Sequence, residues 1–126
     1  MNKQTINTHE APAPIGPYSQ AVWAGNLLFC SGQIAINPEN GNLDTADINT
    51  ETRRVMENIG GILRAAGLDY SAIVKTTIFL KDINDFAAVN TVYGSYFKEA
   101  FPARETVQVS MLPKNVNVEI SVTAIK

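Results

Sequence analysis

Val116-Asn117-Val118-Glu119-Ile120-Ser121-Val122-Thr123-Ala124 alternates without a break, apolar at even numbers and polar at odd ones. Successive side chains of a strand point to opposite faces, so this run describes a strand with one face on a core and one polar face. Just before it, Val107, Val109 and Met111 alternate with Thr106, Gln108 and Ser110 in the same way. With Pro113-Lys114 between them, the two runs predict a terminal antiparallel hairpin whose register sets Glu119 opposite Gln108. Further back the period changes. Phe86, Val89, Tyr93 and Phe97 recur at three and four, as do Val55, Ile59, Ile62, Leu63 and Ala66, so two helices are expected. Thr50 or Asn49 can start the first of these and Gly67 can end it. Inside it, Gly60-Gly61 costs about 1 kcal/mol per residue relative to alanine, and close packing of the helix on a sheet would account for that.

Between the helices, residues 73–80 are rich in β-branched side chains and read as a strand. Residues 18–24 and 27–34 are strand-like and separated by Gly25-Asn26, which suits a tight hairpin turn. Ala11-Pro12-Ala13-Pro14-Ile15-Gly16-Pro17 is an extended, proline-fixed lead-in, and residues 37–47 form a turn-rich loop with a short extra strand near Ile36. The expected order is β-β-α-β-α-β-β: an α+β protein whose mixed sheet carries both helices on one face. Gln108, Ser110, Asn117, Ser121 and Thr123 give the other face a neutral polar surface rather than the Lys and Glu of a solvated one. That favours self-association into a closed oligomer.

Residues 1–126 are one domain's worth of chain, and about two-thirds of the unfolded surface is expected to be buried. With 45% hydrophobic residues and a formal charge of −2, disorder is excluded. The longest clean apolar runs, such as Leu27-Leu28-Phe29-Cys30, are far short of the ~18–20 residues of a membrane span. Met1-Asn2-Lys3-Gln4-Thr5 lacks the long apolar stretch of a secretory leader, and a single cysteine, Cys30, suits a reducing cytoplasm. Scattered basic residues and a sequence pI of about 5.3 speak against nucleic acid. One histidine and one cysteine are too few N and S ligands for a structural zinc site, so no metal is expected.

Arg104 and Glu119 are the charges that alternation places on the polar side of the last two strands. In the expected hairpin they share a face about four residues apart, able to flank a small ligand but too far apart for a salt bridge. Spacing alone leaves two ordinary surface charges as the commoner explanation. Ser31-Gly32-Gln33 ends a strand where glycine permits close backbone approach, by a ligand or in a plain bulge. Asn90 sits beside the second helix's apolar stripe, as a boundary polar group or a binding one. Tyr18 follows the proline-fixed segment and either lines a site or fills an edge. His9, in a flexible start, has no nucleophile beside it to form a triad, and Cys30 lies within an apolar run as inert core.

Six blocks occur in order: Gly16-Pro17-Tyr18-Ser19-Gln20-Ala21, Ser31-Gly32-Gln33-Ile34, the run Val74-Lys75-Thr76-Thr77-Ile78-Phe79-Leu80-Lys81-Asp82, Phe86-Ala87-Ala88-Val89-Asn90, Phe101-Pro102-Ala103-Arg104, and Leu112-Pro113-Lys114 with Val118-Glu119-Ile120. Each is weak alone, but the ordered set resembles the RidA/YjgF family of reactive-intermediate deaminases over nearly the whole chain. The resemblance implies a chorismate-mutase-like fold and a homotrimer with clefts between subunits. It also implies hydrolysis of 2-imino acids, chiefly 2-iminobutanoate and 2-iminopropanoate, to 2-keto acids and ammonia without cofactor or metal, protecting enzymes that use pyridoxal phosphate. By the same resemblance Arg104 clamps the substrate carboxylate, Glu119 serves the attacking water, and Tyr18, Ser31, Gly32, Asn90 and Thr106 line the substrate cleft. The chain departs from many members in reading Arg104-Glu105-Thr106 where they carry Arg-Ser-Cys. Strand parity sends Glu105 to the face opposite Arg104, and Thr106 stands where a thiol contributes to the pocket. The alternative is a small-metabolite-binding regulator of the same fold, linked to purine metabolism or translation, or an endoribonuclease-type member.

Overall fold

The alternating run of residues 116–124 contributes most of β6 (Val118–Ile125), and this strand lies inside the sheet rather than in a terminal hairpin. The computed structural model describes residues 3–126; Met1 and Asn2, where the leader reading begins, lie outside them. The elements are β1 (Gln4–Ile6), β2 (Ala21–Ala24), β3 (Leu27–Cys30), α1 (Ile48–Ala65), β4 (Ile73–Leu80), α2 (Phe86–Gly94), β5 (Ala103–Gln108) and β6. They form a six-stranded sheet in the order β1-β2-β3-β6-β4-β5. β6 runs antiparallel to both β3 and β4, whereas β5 runs parallel to β4, with Thr76 beside Arg104 and Leu80 beside Gln108.

The expected terminal hairpin is therefore wrong. β5 and β6 are not neighbours; β4 separates them, and Glu119 is paired with Phe79 instead of Gln108. The reason is the helix between β4 and β5: a strand, a helix and a strand in succession return the chain in the same direction, giving parallel pairing. β1 is a strand that the alternation pattern does not mark. The start of the chain adds an antiparallel edge strand through Thr5 and Val22, and His9 lies exposed beyond it. Near Ile36 there is an isolated bridge to Leu43 rather than a strand.

The β2–β3 hairpin has the expected two-residue loop, with Gly25 at φ +61°. Helix α1 is capped by Asp47, not by Thr50 or Asn49: its side chain accepts from the Thr50 amide at 2.7 Å. Gly67, at φ +77°, closes the helix as expected. Val55, Met56, Ile59, Ile62 and Leu63 of α1 are wholly buried against Leu28, Ile78, Leu80, Val118 and Ile120 of the sheet. Tyr93 of α2 donates from its hydroxyl to Thr76 at 2.9 Å, so both helices cover the same face. Gly60 and Gly61, however, do not meet the sheet. A Cβ on Gly60 would collide with the Tyr70 ring, and one on Gly61 with the backbone of Glu10, 2.8 Å from its carbonyl carbon. Cys30 is inert core, with burial pushing its thiol up to about 12.

One buried polar contact ties α1 to the start of β6. The Glu51 carboxyl, fully buried, accepts from the Asn117 amide (2.7 Å), the Asn117 side-chain amide (2.7 Å) and the Val118 amide (3.1 Å). Asn117 is thus spent inside the protein rather than displayed on the free face. Glu51→Gln replaces one acceptor oxygen by an N–H that meets another donor, so a loss of about 2–3 kcal/mol in urea unfolding is expected. A variant within about 0.5 kcal/mol of the parent would remove this contact from the account of the fold.

Candidate active site

Glu119 emerges from β6 on the face away from the helices, between buried Val118 and Ile120. It lines a cleft of about 330 Å³ together with Pro12, Ala13, Ile15, Tyr18, Gln20, Ser31, Gly32, Gln33, Ile34, Ile36 and Pro113. Four residues singled out in the sequence, Tyr18, Ser31, Gly32 and Glu119, therefore meet at one place. Gly32 explains how. A Cβ there would lie 2.9 Å from Glu119 Cδ and closer still to its Oε2, so only glycine lets the carboxyl lie across the backbone at the end of β3. Gln33 secures that backbone, exchanging both amide–carbonyl bonds with Ile120 at 2.8 and 3.1 Å.

The Ser31 hydroxyl donates to the Ser19 carbonyl at 2.5 Å, leaving only its lone pairs for a ligand. The Tyr18 hydroxyl accepts from the Ile15 amide at 3.2 Å, which folds residues 15–18 into the rim of the cleft. Glu119 has no cation within ion-pair reach among the described residues, and burial pushes its carboxyl above the ordinary glutamate value. A half-buried carboxyl with a raised pKa in an otherwise uncharged cleft is suited to taking and returning a proton.

Arg104 is elsewhere. Its strand neighbour Thr76 faces the helices, and so does Arg104. Its Nη1 donates to Asn90 Oδ1 at 2.7 Å, and its guanidinium lies 5.6 Å from the centre of the Phe86 ring and 5.3 Å from that of Tyr93. The expectation that Arg104 and Glu119 share a face is thus corrected: within one chain they lie on opposite faces, with β4 between them. Residues 104, 106 and 108 do share a side, as alternation required, but it is the helix side. Gln108 is turned to that side as well, and its Oε1 accepts from the Ile83 amide at 2.8 Å. Position decides this: β5 is an edge strand and α2 covers it with Asn90, so the polar alternate positions belong under the helix there.

Around Arg104 a second constellation forms. Asn90 fixes the guanidinium, Phe86 and Tyr93 flank it, and Thr106, two residues along the same side, has a buried hydroxyl with no hydrogen-bond partner. The guanidinium makes a single hydrogen bond and no ion pair among the described residues, so several N–H donors are available to an anion. Phe86 and Tyr93 belong to the spacing that marks α2, but nothing in that spacing separates a ring that only fills a core from one that also flanks a cation, and Tyr93 does both. Glu105 projects to the opposite face, where it accepts from Thr77 at 2.7 Å and pairs with Lys75 at 3.0 Å; these contacts hold its carboxyl below the usual range. It does not compete for Arg104.

Among the described residues no group of three or more His, Cys, Asp or Glu side chains is arranged to hold a metal ion, and no helix is long and apolar enough to cross a membrane.

Comparison with known proteins gives a consistent result. The family model described as Endoribonuclease L-PSP matches residues 8–126. The chain is 46% identical over 124 residues to the human 2-iminobutanoate/2-iminopropanoate deaminase, covering 98% of this chain and 90% of that protein. The crystal structure of YyfA, a Rid family protein of Yersinia pestis, superposes with a TM-score of 0.97 at 50% identity, over 99% of this chain and all of the other. That of TdcF from E. coli with bound serine gives 0.94 at 42% identity, over 98% of each chain. With the family model spanning all but the first residues, the chain belongs to the RidA/YjgF family, which includes imine deaminases.

Proposed function

We propose that the protein hydrolyses small 2-imino acids, 2-iminobutanoate and 2-iminopropanoate among them, to 2-keto acids and ammonia, in clefts shared between the subunits of a homotrimer. The observation that carries this reading is the separation of the two constellations. Glu119, with Gly32 and Ser31, is a proton-handling site lacking a carboxylate anchor; Arg104, with Asn90 and Thr106, is an anchor lacking a base. Apposing one subunit's β5–α2 edge to the next subunit's cleft completes both. The exposed apolar residues of the helix-free face, Phe29, Val107 and Ile125, give such an assembly surface to bury.

The chemistry asks little more. Arg104 holds the substrate carboxylate through its planar fork. Glu119 of the partner subunit takes a proton from water as the oxygen adds to the iminium carbon; the carbinolamine then expels ammonia as the proton is returned. The protonated imine is already electrophilic, so orientation and one base suffice without a covalent nucleophile. No cofactor enters these steps. The relative with serine bound supports a ligand of amino-acid size. A ribonuclease reading gains no support: the intrachain cleft is charged only by Glu119, and completing it adds the single Arg104 rather than the basic track a nucleic acid strand needs.

The direct test generates 2-iminobutanoate from threonine with a dehydratase and follows keto-acid release with and without this protein. Release is expected to accelerate; an unchanged rate overturns the reading. A stable monomer by mass measurement in solution would overturn the shared cleft.

A further inference from the structure

Residues 8–12 cross the protein as a strap with little secondary structure of its own, yet they lead into four of the cleft's apolar residues: Pro12, Ala13, Ile15 and Tyr18. The strap is held from beneath by one side chain. Gln20, 2% exposed, accepts from the Thr8 amide at 2.8 Å. Its Nε2 donates to the carbonyls of Thr8 (3.0 Å), Ala11 (3.2 Å) and Pro12 (2.9 Å). From the other side, α1 opens a groove for the strap: Gly61 gives up its side chain to the Glu10 backbone, and Ala11 is buried in the core beside it. Arg64 adds an exposed ion pair to Glu10 at 3.1 Å. A buried amide with its bonding capacity on one segment defines where that segment lies, since each bond lost would leave a buried polar group unpaired.

We infer that Gln20 is a positioning residue for substrate selection: by fixing the strap it sets the apolar wall of the cleft and hence how much aliphatic side chain is accepted. This rests on the proposed reading of the cleft. The carboxylate and the reacting carbon are handled by Arg104 and Glu119, so what remains for the wall formed by Pro12, Ala13 and Ile15 is the rest of the ligand. Gln20 also borders the cleft, but its side-chain amide is bonded to the strap, so it acts through the strap, and Gly61→Ala tests that route from a residue outside the cleft. Gly61 does the same from the helix, remote from the reacting atoms.

The test measures binding of the unreactive 2-oxo acids of three to six carbons by calorimetry. In the parent, each methylene that reaches the wall is expected to tighten binding by about fourfold. Gln20→Ala is expected to flatten this to under about twofold per methylene, while binding of the three-carbon acid changes much less. Gly61→Ala adds a Cβ against the Glu10 backbone and keeps a good helix former in α1, so it should flatten the series in a chain that still folds even where Gln20→Ala does not. Amide exchange over residues 8–11 should quicken in both. Parallel weakening of all four acids in both variants would mark a general loss of structure and overturn the proposal. Retention of the parent's chain-length dependence in Gly61→Ala, or unchanged exchange over the strap, overturns the proposal while leaving the deaminase reading intact; failure of the parent to bind any 2-oxo acid overturns both.

Discussion

Arg104→Ala is expected to lower kcat/KM for 2-iminobutanoate hydrolysis by roughly 30- to 150-fold, about 2–3 kcal/mol of transition-state stabilisation. The magnitude follows from what the guanidinium is prepared for. Asn90 accepts from Nη1, and the Phe86 and Tyr93 rings restrict the plane, so the remaining donors are oriented before a ligand arrives. Taking them away leaves a desolvated carboxylate with no partner. Arg104→Lys keeps the charge but loses the fork and the stacking and should recover only part of the loss. Both variants should keep the parent's circular dichroism spectrum and oligomeric mass, because Arg104 lies on the edge strand and the core side chains of α1 and the central strands do not depend on it. A folded Arg104→Ala protein that hydrolyses imines as fast as the parent would end the deaminase assignment at its anchor and favour a keto-acid-binding protein instead.

Arg104 stood out as a candidate in the chain; where it points did not. Alternation in residues 118–125 states correctly which of these residues share a face, and helical spacing locates α1 and α2. Neither states which strand lies beside which. Two alternating runs with a proline turn between them look like a hairpin, yet the strand–helix–strand succession of β4, α2 and β5 makes a parallel pair and leaves the gap beside β4 to β6. One wrong neighbour turned Arg104 to the wrong face. The Glu119 side of the site was readable for a different reason: Ser31-Gly32 is local, and a glycine at a strand end announces close approach even before its partner is known. Gln20 gave no local signal at all. A lone glutamine is usually a surface residue, and its burial depends on a strap whose path no periodicity describes.

Glu119→Gln is expected to reduce kcat by about 10²-fold or more while binding of 2-oxobutanoate stays near the parent's, since the amide keeps the shape over Gly32 but cannot take a proton. In the parent, the rate should fall as pH drops through the Glu119 pKa, which burial places above the ordinary carboxylate value, and this limb should vanish in the variant. The opposed faces of Arg104 and Glu119 then allow a sharper experiment. If a cleft takes Arg104 from one subunit and Glu119 from the next, a trimer assembled from Arg104→Ala and Glu119→Gln chains contains clefts in which both native residues meet. Random assembly of an equal mixture puts a native arginine and a native glutamate together in about one cleft in four. Refolding the two weakly active proteins together should therefore restore about a quarter of the parental activity, and refolding each alone should restore none. No recovery from the mixture, with mixed trimers shown by mass, would mean that both residues serve a site within one chain, which the position of β4 between them opposes.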